Sequence, residues 1–433
     1  MDSANYIYSK FKECGLATTD SRNIAKGAIF FALKGANFDG NKFAYQALEM
    51  GASLAVVDDK SIKGENIVVV DNVLTTLQRV ARIYRDYLNI PIVGLTGTNG
   101  KTTTKELITA VLSSKYRVAS TKGNLNNHIG VPLTILSIPF DCEIAVVEMG
   151  ANHIGDIAEL TEIANPNYGL ITNVGKAHLE GFGSFEGVKK AKGELYDYIK
   201  NHDGLLFLNS DNPYLSEMVE QRHFANFVPY GKDVMNISVL LKDLDHPFLR
   251  IEIGSGSLSG LQIDTQIVGD YNLDNVLAAV TIGRFFKVDD FDIKKALESY
   301  SPDNNRSQLM RTKQNLVIAD CYNANPTSME AALANFASYN IPNKVAILGD
   351  MLELGLNSKE EHQKIVELTK QLQISMVYFV GKEFGSVNMA SGYYCFNNSN
   401  ELLEYLVKNP IHESLVLVKG SRGIRLESSL PLL

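Results

Sequence analysis

Apolar and polar positions divide the chain into three successive patterns. Near the amino terminus two short apolar runs, Ala28-Ile-Phe-Phe-Ala-Leu33 and Ser53-Leu-Ala-Val-Val57, flank a helical stretch from Phe43 to Met50 that Gly51 stops. The runs predict strands, and a longer periodic segment predicts a helix from about Val73 to Leu88. That helix ends ahead of Pro91, since the residue before a proline is steered out of helical geometry. Residues 1–88 therefore form a small α/β module.

From Pro91 to about Tyr300 strands and helices alternate, which predicts a mainly parallel sheet with helices on both faces and a central unit spanning residues 89–300. Its strands include Ile92 onward, Glu143-Ile-Ala-Val-Val-Glu-Met-Gly150 and Tyr168-Gly-Leu-Ile-Thr-Asn-Val-Gly-Lys-Ala-His178, and a helix is predicted from Phe185 to Ile199. Between about Val239 and Val268 polar and apolar residues alternate among Gly and Ser turns, predicting an antiparallel extension of that sheet. Residues 301–433 open a second pattern with strands at Leu316–Asp320, Lys344–Leu348, Met376–Val380 and Leu415–Val418, and helical stretches such as Ser328 to Ser338. This is an open, Rossmann-like sheet.

Parallel strands place ligand loops at their carboxyl ends, so the polar residues there carry the chemistry. The stretch Ile92-Val-Gly-Leu-Thr-Gly-Thr-Asn-Gly-Lys-Thr-Thr-Thr-Lys-Glu106 is a strand, a glycine-bearing turn and a helix start. It reads as a phosphate-binding loop. Gly97 and Gly100 allow crowded or left-handed backbone, so that N–H groups and the positive helix end point at phosphate oxygens. Lys101 supplies a point charge, and the Thr102 hydroxyl a ligand for magnesium. The common Walker pattern places glycine where this chain has Leu95, which points away from the usual GTPase and kinase forms.

Several other strand ends are polar. Glu148 ends its strand beside the phosphate loop, where a nucleotide-bound magnesium is its natural partner and a neighbouring helix terminus the alternative. Asn126 and Asn127 lie in the amide-rich loop Thr121–Pro132, which is also readable as a capped surface loop, and His178 ends a strand on the same edge as Glu148. In the Phe185–Ile199 helix, Lys192 takes the place of an apolar residue between Val188 and Leu195. Burial there would favour a neutral amine able to take up carbon dioxide as a carbamate, whereas the same spacing also suits a lysine that snorkels to water. Asn272 and Asn275 open the helix after Gly269, suited either to an adenine edge or to capping. In the last third, Asp320-Cys-Tyr-Asn-Ala-Asn-Pro326, Gly349–Gly355 and Lys419-Gly-Ser-Arg422 are three polar loops at strand ends, and Arg306 lies at the junction, within reach of a nucleotide phosphate. Near the amino terminus Thr18-Thr-Asp-Ser-Arg22 is a polar turn or a grip on a nucleotide-sugar phosphate.

Composition narrows the classes. The 433 residues exceed one compact core, and a formal net charge of −8 without any basic block argues against nucleic-acid binding. The four cysteines, Cys14, Cys142, Cys321 and Cys395, are far apart, as expected of reduced thiols in a cytoplasmic protein. No signal-like start and no apolar run of bilayer-crossing length is present, so a cytoplasmic protein without a membrane span is expected; a monomer is expected separately.

Taken together, Thr96-Gly-Thr-Asn-Gly-Lys-Thr-Thr103, Gly123-Asn-Leu-Asn-Asn127, Glu148-Met-Gly, Asn173 to His178, Ala191-Lys-Gly-Glu194 and Asn272-Leu-Asp-Asn275 resemble the Mur ligases, ATP-dependent amide-bond formers of bacterial cell-wall precursor synthesis. Asp20-Ser-Arg22, Tyr322-Asn-Ala-Asn-Pro326, Gly349-Asp-Met-Leu-Glu-Leu-Gly355 and Lys419-Gly-Ser-Arg422 resemble the branch that joins D-alanyl-D-alanine to a UDP-N-acetylmuramoyl-tripeptide. The resemblance implies ATP held by Gly97, Thr98, Asn99, Gly100, Lys101, Thr102 and Thr103, with Asn272 and Asn275 at adenine and Arg306 and Asp320 at phosphate and ribose. It implies two magnesium ions, one held by Thr102 and Glu148, the other by His178 and carbamylated Lys192, with Lys101, Lys192 and His178 as the catalytic residues. Asp20, Ser21 and Arg22 would meet the uridine nucleotide, Asn126 and Asn127 would bind substrate, and Tyr322, Asn323, Asn325, Lys419, Ser421 and Arg422 would shape the dipeptide site. One departure is Tyr271-Asn272, where the family often has His-Asn. Asp211-Asn-Pro-Tyr214 looks like a motif of the sister enzyme but lies in the wrong domain and lacks its arginine. A folylpolyglutamate-synthase-like ligase, a nucleotide-dependent kinase or ATPase switch, and a nucleotide-sugar binder with a degenerate ATP site are the alternatives; the module ahead of the phosphate loop argues against the first, and intact Lys101, Thr102, Glu148 and Lys192 against the last.

Overall fold

The computed structural model describes residues 2–177, 179–240, 246–254, 260–374, 376–389 and 392–433. Ile92–Thr96 runs inside a six-stranded sheet in the order Phe227–Tyr230, Leu205–Asn209, Tyr168–Ile171, Ile92–Thr96, Ile144–Glu148, Val118–Ser120, every neighbouring pair parallel. Ile92–Thr96 and Ile144–Glu148 are buried at all positions, as strands covered on both faces must be. Alternate residues serve opposite cores. Val93, Leu95 and Val146 pack with Leu107 and Val111 of the helix Lys101–Ser113 and with Val276 and Val280 of Leu273–Phe285. Ile92, Ala145 and Val147 pack with Leu160 of Asp156–Ala164, Leu195 of Phe185–Asn201 and Ile135 of Gly130–Leu136. The pairing sets Leu95 opposite Glu148 and Thr96 opposite Ile171, so three strands end level and their loops crowd one edge.

The amino-terminal strands Ala17–Thr18, Ile29–Phe31, Leu54–Val57 and Ile67–Val69 form a parallel sheet of their own. The helix Val73–Leu88 starts on an Asn72 cap and buries Leu77, Val80, Ala81 and Tyr84 in the same core as Val131 and Ile135. Beneath it, buried Arg85 donates to the carbonyl oxygens of Ala164 and Asn165 at 3.0 and 2.9 Å and to Asn167 Oδ1 at 2.9 Å. Carbonyls at a helix end need donors, and a guanidinium offers several at once. The amino-terminal module is thereby clamped to the central sheet.

The last sheet runs Gln308–Arg311, Leu316–Asp320, Leu415–Lys419, Lys344–Gly349, Met376–Val380, Tyr394–Phe396, parallel except for the first strand. One expectation is corrected. Ile237–Val239, Arg250–Ile253 and Leu261–Asp264 are antiparallel, but they form a separate three-stranded sheet rather than extending the central one. Their alternation predicted the pairing, while Ile237, Ile251 and Ile263 needed a partner face, which the helix Leu273–Phe285 supplies through a shared core. Among the described residues no helix is long and apolar enough to cross a membrane.

Candidate active site

A cavity of about 890 Å³ opens where the central sheet's carboxyl edge faces that of the last sheet. Its floor is the glycine-bearing loop. Gly97 has φ 149° and Gly100 φ 78°, and added Cβ atoms would lie 2.0 Å from Thr172 Oγ1 and 2.6 Å from Asn275 Oδ1. Only glycine meets both demands, of left-handed backbone and of close approach. The loop is held from the neighbouring strand end: Asn173 Oδ1 accepts from Asn99 N–H at 3.0 Å, and Thr172 Oγ1 donates to the Asn99 carbonyl at 2.6 Å. The helix beginning at Lys101 has no side-chain cap, so its first N–H groups and dipole are available to an anion. Lys101 Nζ folds back on the Gly97 and Thr98 carbonyls at 2.7 and 3.0 Å, and burial lowers its pKa.

Glu148 is 2% exposed. Its backbone N–H donates to Thr121 Oγ1, Oε1 accepts from Asn126 Nδ2 at 2.8 Å, and buried Oε2 has no partner among the described residues. A buried carboxylate oxygen left alone is costly unless a cation completes it. With Thr102 buried in the first turn nearby, the residues fit a hard cation taking its remaining oxygens from phosphate and water. Among the described residues no cluster of three His, Cys, Asp or Glu stands ready as a protein-only metal cage. Lys192 is also 2% exposed, so the core-facing position holds and the snorkelling alternative fails. Its pKa is pushed down to about 7, first by burial and then by the charge of Lys101. His178 lies outside the described residues.

Other predicted residues divide between the cavity wall and its supports. Asn272, Asn275, Arg306, Asp320, Tyr322, Asn323, Asn325 and Lys419 join Asn126, Asn127 and the phosphate loop in the lining. Asn275 Oδ1 accepts from Thr104 Oγ1, and its Nδ2 donates to Asn272 Oδ1, whose own amide donates to the Val268 carbonyl. Asn127 Oδ1 takes the Gly130 N–H at 2.8 Å, so that asparagine also starts the Gly130–Leu136 helix. Arg306 sits between two left-handed residues, Asn305 and Ser307, and its guanidinium stacks 3.8 Å from the centre of the Tyr322 ring. Asp320 accepts from Ser307 N–H at 3.1 Å and from Lys419 Nζ at 2.6 Å. Tyr271, the departure noted above, is tied by its hydroxyl to Ser307 Oγ at 2.9 Å.

Ser421 and Arg422 do not line the cavity. Ser421 is buried and stitches loops, accepting from Leu352 N–H and donating to the Ala324 carbonyl, and Arg422 reaches the Tyr322 hydroxyl at 3.3 Å. Asp20, Ser21 and Arg22 are outside the lining too; Arg22 grips the Asp20 carboxylate with two bonds of 2.9 Å, which holds its pKa down to about 2. Sequence reasoning passes over Asn209, Asp274, His128 and His153 and reads Asp211 only as part of a motif in the wrong domain; all five are in the cavity wall. The strand-end rule flags Asn209, which ends Leu205–Asn209 as Glu148 ends its own strand, and Asp211 two residues further on. His128 and His153 carry no such signal.

A phosphate loop, an orphaned strand-end carboxylate and a buried lysine of lowered pKa, faced by a second α/β unit, are the equipment of a nucleotide-dependent enzyme of three modules. Models of the Mur ligase family match in sequence: the catalytic domain over residues 16–92, the middle domain over 95–283 and the glutamate ligase domain over 305–422. The chain belongs to the Mur ligase family. It is similar to the UDP-N-acetylmuramoyl-tripeptide--D-alanyl-D-alanine ligase of Bacillus subtilis (strain 168), with 36% identity covering 98% of this chain and 94% of that one. The same enzyme of Escherichia coli (strain K12) is 35% identical, with 95% and 91% covered. A crystal structure of MurF ligase from Thermotoga maritima in complex with ADP superposes with a TM-score of 0.84 at 29% identity, covering 96% of each chain.

Proposed function

We propose that this chain joins D-alanyl-D-alanine to UDP-N-acetylmuramoyl-tripeptide at the expense of ATP, a step of peptidoglycan precursor synthesis. The observation that carries the reading is the cavity itself, which the phosphate loop and Glu148 line from one side and the loops of the last sheet from the other. Full-length similarity to enzymes of that name supports it, and the matched amino-terminal module distinguishes it from two-module ligases.

In the reaction a carboxylate oxygen of the tripeptide attacks the γ-phosphorus of ATP and the bond to ADP breaks, leaving an acyl phosphate. The amine nitrogen of the dipeptide then adds to the acyl carbon. Collapse of that tetrahedral intermediate expels phosphate with the C–O electron pair, and the nitrogen gives up its proton. Gly97 to Thr103 hold the phosphates through N–H groups and the helix end, and Lys101 turns from the Gly97 and Thr98 carbonyls to the charge that moves. Arg306 is presented by its stack on Tyr322, and Asp320 faces the ribose. Asn272 and Asn275 fix the base end. Thr102 and Glu148 would hold one magnesium ion, and His178 with carbamylated Lys192 a second; such ions would neutralise charge on the transferring group. Lys192 suits that modification because its burial favours the neutral amine. Asp20, Ser21 and Arg22 take the uridine nucleotide, and Tyr322, Asn323, Asn325 and Lys419 shape the dipeptide site.

The test is phosphate release with ATP, magnesium, UDP-N-acetylmuramoyl-tripeptide and D-alanyl-D-alanine, each omitted in turn. Release is expected only with all four. Equal release without the dipeptide overturns the ligase reading in favour of an ATPase.

A further inference from the structure

One side chain joins the phosphate loop to the last domain. Asn325 Nδ2 donates to Asn99 Oδ1 at 2.7 Å. Asn325 is also the N-cap of the helix Pro326–Ser338, its Oδ1 accepting from Ser328 N–H at 2.9 Å while Ser328 Oγ accepts from Asn325 N–H at 3.1 Å. This capping box fixes the amide: its oxygen serves the helix, so its NH2 faces Asn99. Asn99 in turn cannot drift, because Asn173 and Thr172 hold its backbone on both sides.

Behind Asn325 the last sheet's loops are bound together. The Ala324 carbonyl accepts from Ser421 Oγ at 3.3 Å, and Ser421 Oγ accepts from Leu352 N–H at 3.0 Å, so the 320–326, 349–355 and 419–422 loops are linked through one serine. A second contact crosses the same boundary, with Lys176 N–H donating to Thr327 Oγ1 at 3.3 Å in the helix's first turn. The placement of the phosphate loop is thus passed by two amide side chains to all three loops.

We propose that Asn325 is a positioning residue that sets the dipeptide-binding loops against the phosphate loop, and so aims the incoming amine at the acyl phosphate. The inference rests on the ligase reading above. An attacking nitrogen must arrive within about 3.5 Å of the acyl carbon with its lone pair aimed at the face of the carbonyl, so a small misplacement between the two domains is felt in the amine step. Asn325 acts through Asn99, not on the reacting atoms.

Serine and asparagine cap helices about equally well, but serine is too short to reach Asn99. Aspartate also caps, and its second oxygen meets the Asn99 amide once that group turns over to present its NH2. Asn325→Ser is expected to melt with the wild type, to bind ADP within about twofold of it, and to raise the dipeptide KM by roughly 5- to 10-fold, the effect of one lost hydrogen bond. Asn325→Asp is expected to recover most of that loss, and in the Asn99→Ala background Asn325→Ser is expected to add nothing further. A wild-type dipeptide KM in Asn325→Ser overturns the coupling. So does an equal loss in the Asp and Ser variants, or an ADP affinity that falls in step with the dipeptide KM. Dipeptide-independent phosphate release by the wild type overturns the ligase reading and the coupling with it, whereas dipeptide-dependent release with a silent Asn325→Ser overturns the coupling alone.

Discussion

The two sheet edges that face each other across the cavity are finished in opposite ways. On the central edge polar groups are left waiting: among the described residues Glu148 Oε2 has no partner and the Lys101–Ser113 helix has no side-chain cap, and Lys192 is buried at a depressed pKa. On the other edge they are already satisfied. Asp320 lies between Ser307 N–H and Lys419, Tyr322 between the guanidiniums of Arg306 and Arg422, and Ser421 between two loops. Unpaired buried polarity destabilises a fold unless a ligand completes it, so the central edge is shaped for phosphate and cation. The paired edge holds its own geometry and lends it to the reaction.

The largest expected effect sharpens that contrast. Lys101→Ala should lower kcat by about 10²- to 10³-fold, the scale of losing a preorganised charge at a transferring group, with the melting temperature little moved. Lys101 in the free protein bonds only carbonyls of its own loop among the contacts described, so the fold loses little. Stopped-flow or steady-state phosphate assays with parallel thermal melts decide it. A variant that unfolds while retaining kcat would place Lys101 with the structural edge instead.

Lys192 comes next. Lys192→Ala should cost about 100-fold in turnover, as for the loss of a group that orients a metal, and added bicarbonate should not restore it. In the wild type the amine is protonated below about 7 and neutral above it, so activation by limiting carbon dioxide should rise as pH passes through that value. Lys101→Ala removes a cationic neighbour and should move this rise to higher pH. The unfolded chain keeps the lysine proton up to its ordinary 10.5, so between about 7 and 10.5 the unfolded state binds more protons and stability climbs with pH. Lys192→Met, melted in bicarbonate-free buffer, should lack that climb. A parallel pH dependence in both proteins would sink the assignment.

The paired edge should answer in stability. Lys419, 3% exposed at its side chain, neutralises Asp320 at 14%. Lys419→Ala leaves that carboxylate without its counter-charge and should cost about 3 kcal/mol, read by denaturant unfolding. Asp320→Asn together with Lys419→Met should regain part of the loss. Unchanged stability in Lys419→Ala would mean that the pair exists for ligand binding alone, and the contrast between the edges would collapse.

How much of this was legible in the sequence depends on how local the cause is. The central strands are unbroken apolar runs and the loop is a contiguous glycine pattern, so both follow from neighbours along the chain. Lys192 was visible as a gap in helical spacing, but the spacing served snorkelling equally well; only the helices packed around Phe185–Asn201 decide for burial. Asn272 finds the Val268 carbonyl only four residues back, whereas the bond of Asn275 to Thr104 comes from a tertiary neighbour 171 positions away that no motif records. Alternation predicts the antiparallel pairing around Arg250–Ile253 but not the separate sheet those strands form, because it fixes which face is apolar and says nothing about what covers it. Asn325 was legible as a cap by its place before Pro326, whereas its second partner lies 226 positions away.

The smallest expected effect concerns an edge of intermediate kind. Arg22 and Asp20 are exposed at 87% and 44% of their side chains, yet they satisfy each other with two short bonds. An exposed pair contributes little to folding, so Arg22→Ala should leave the melting temperature unmoved. If the cation meets a nucleotide phosphate, the KM for the UDP-linked tripeptide should rise roughly tenfold, the scale of one charged hydrogen bond, with ATP and dipeptide KM values unchanged. Asp20→Asn separates the two roles, since it weakens the grip on Arg22 while keeping an acceptor of the same shape. Were Asp20 only a restraint that presents Arg22, the same KM should move in the same direction by about twofold; were it a competitor for the guanidinium, the KM should fall. A change in melting temperature without any change in that KM would class this pair with the self-satisfied edge and remove it from the substrate site.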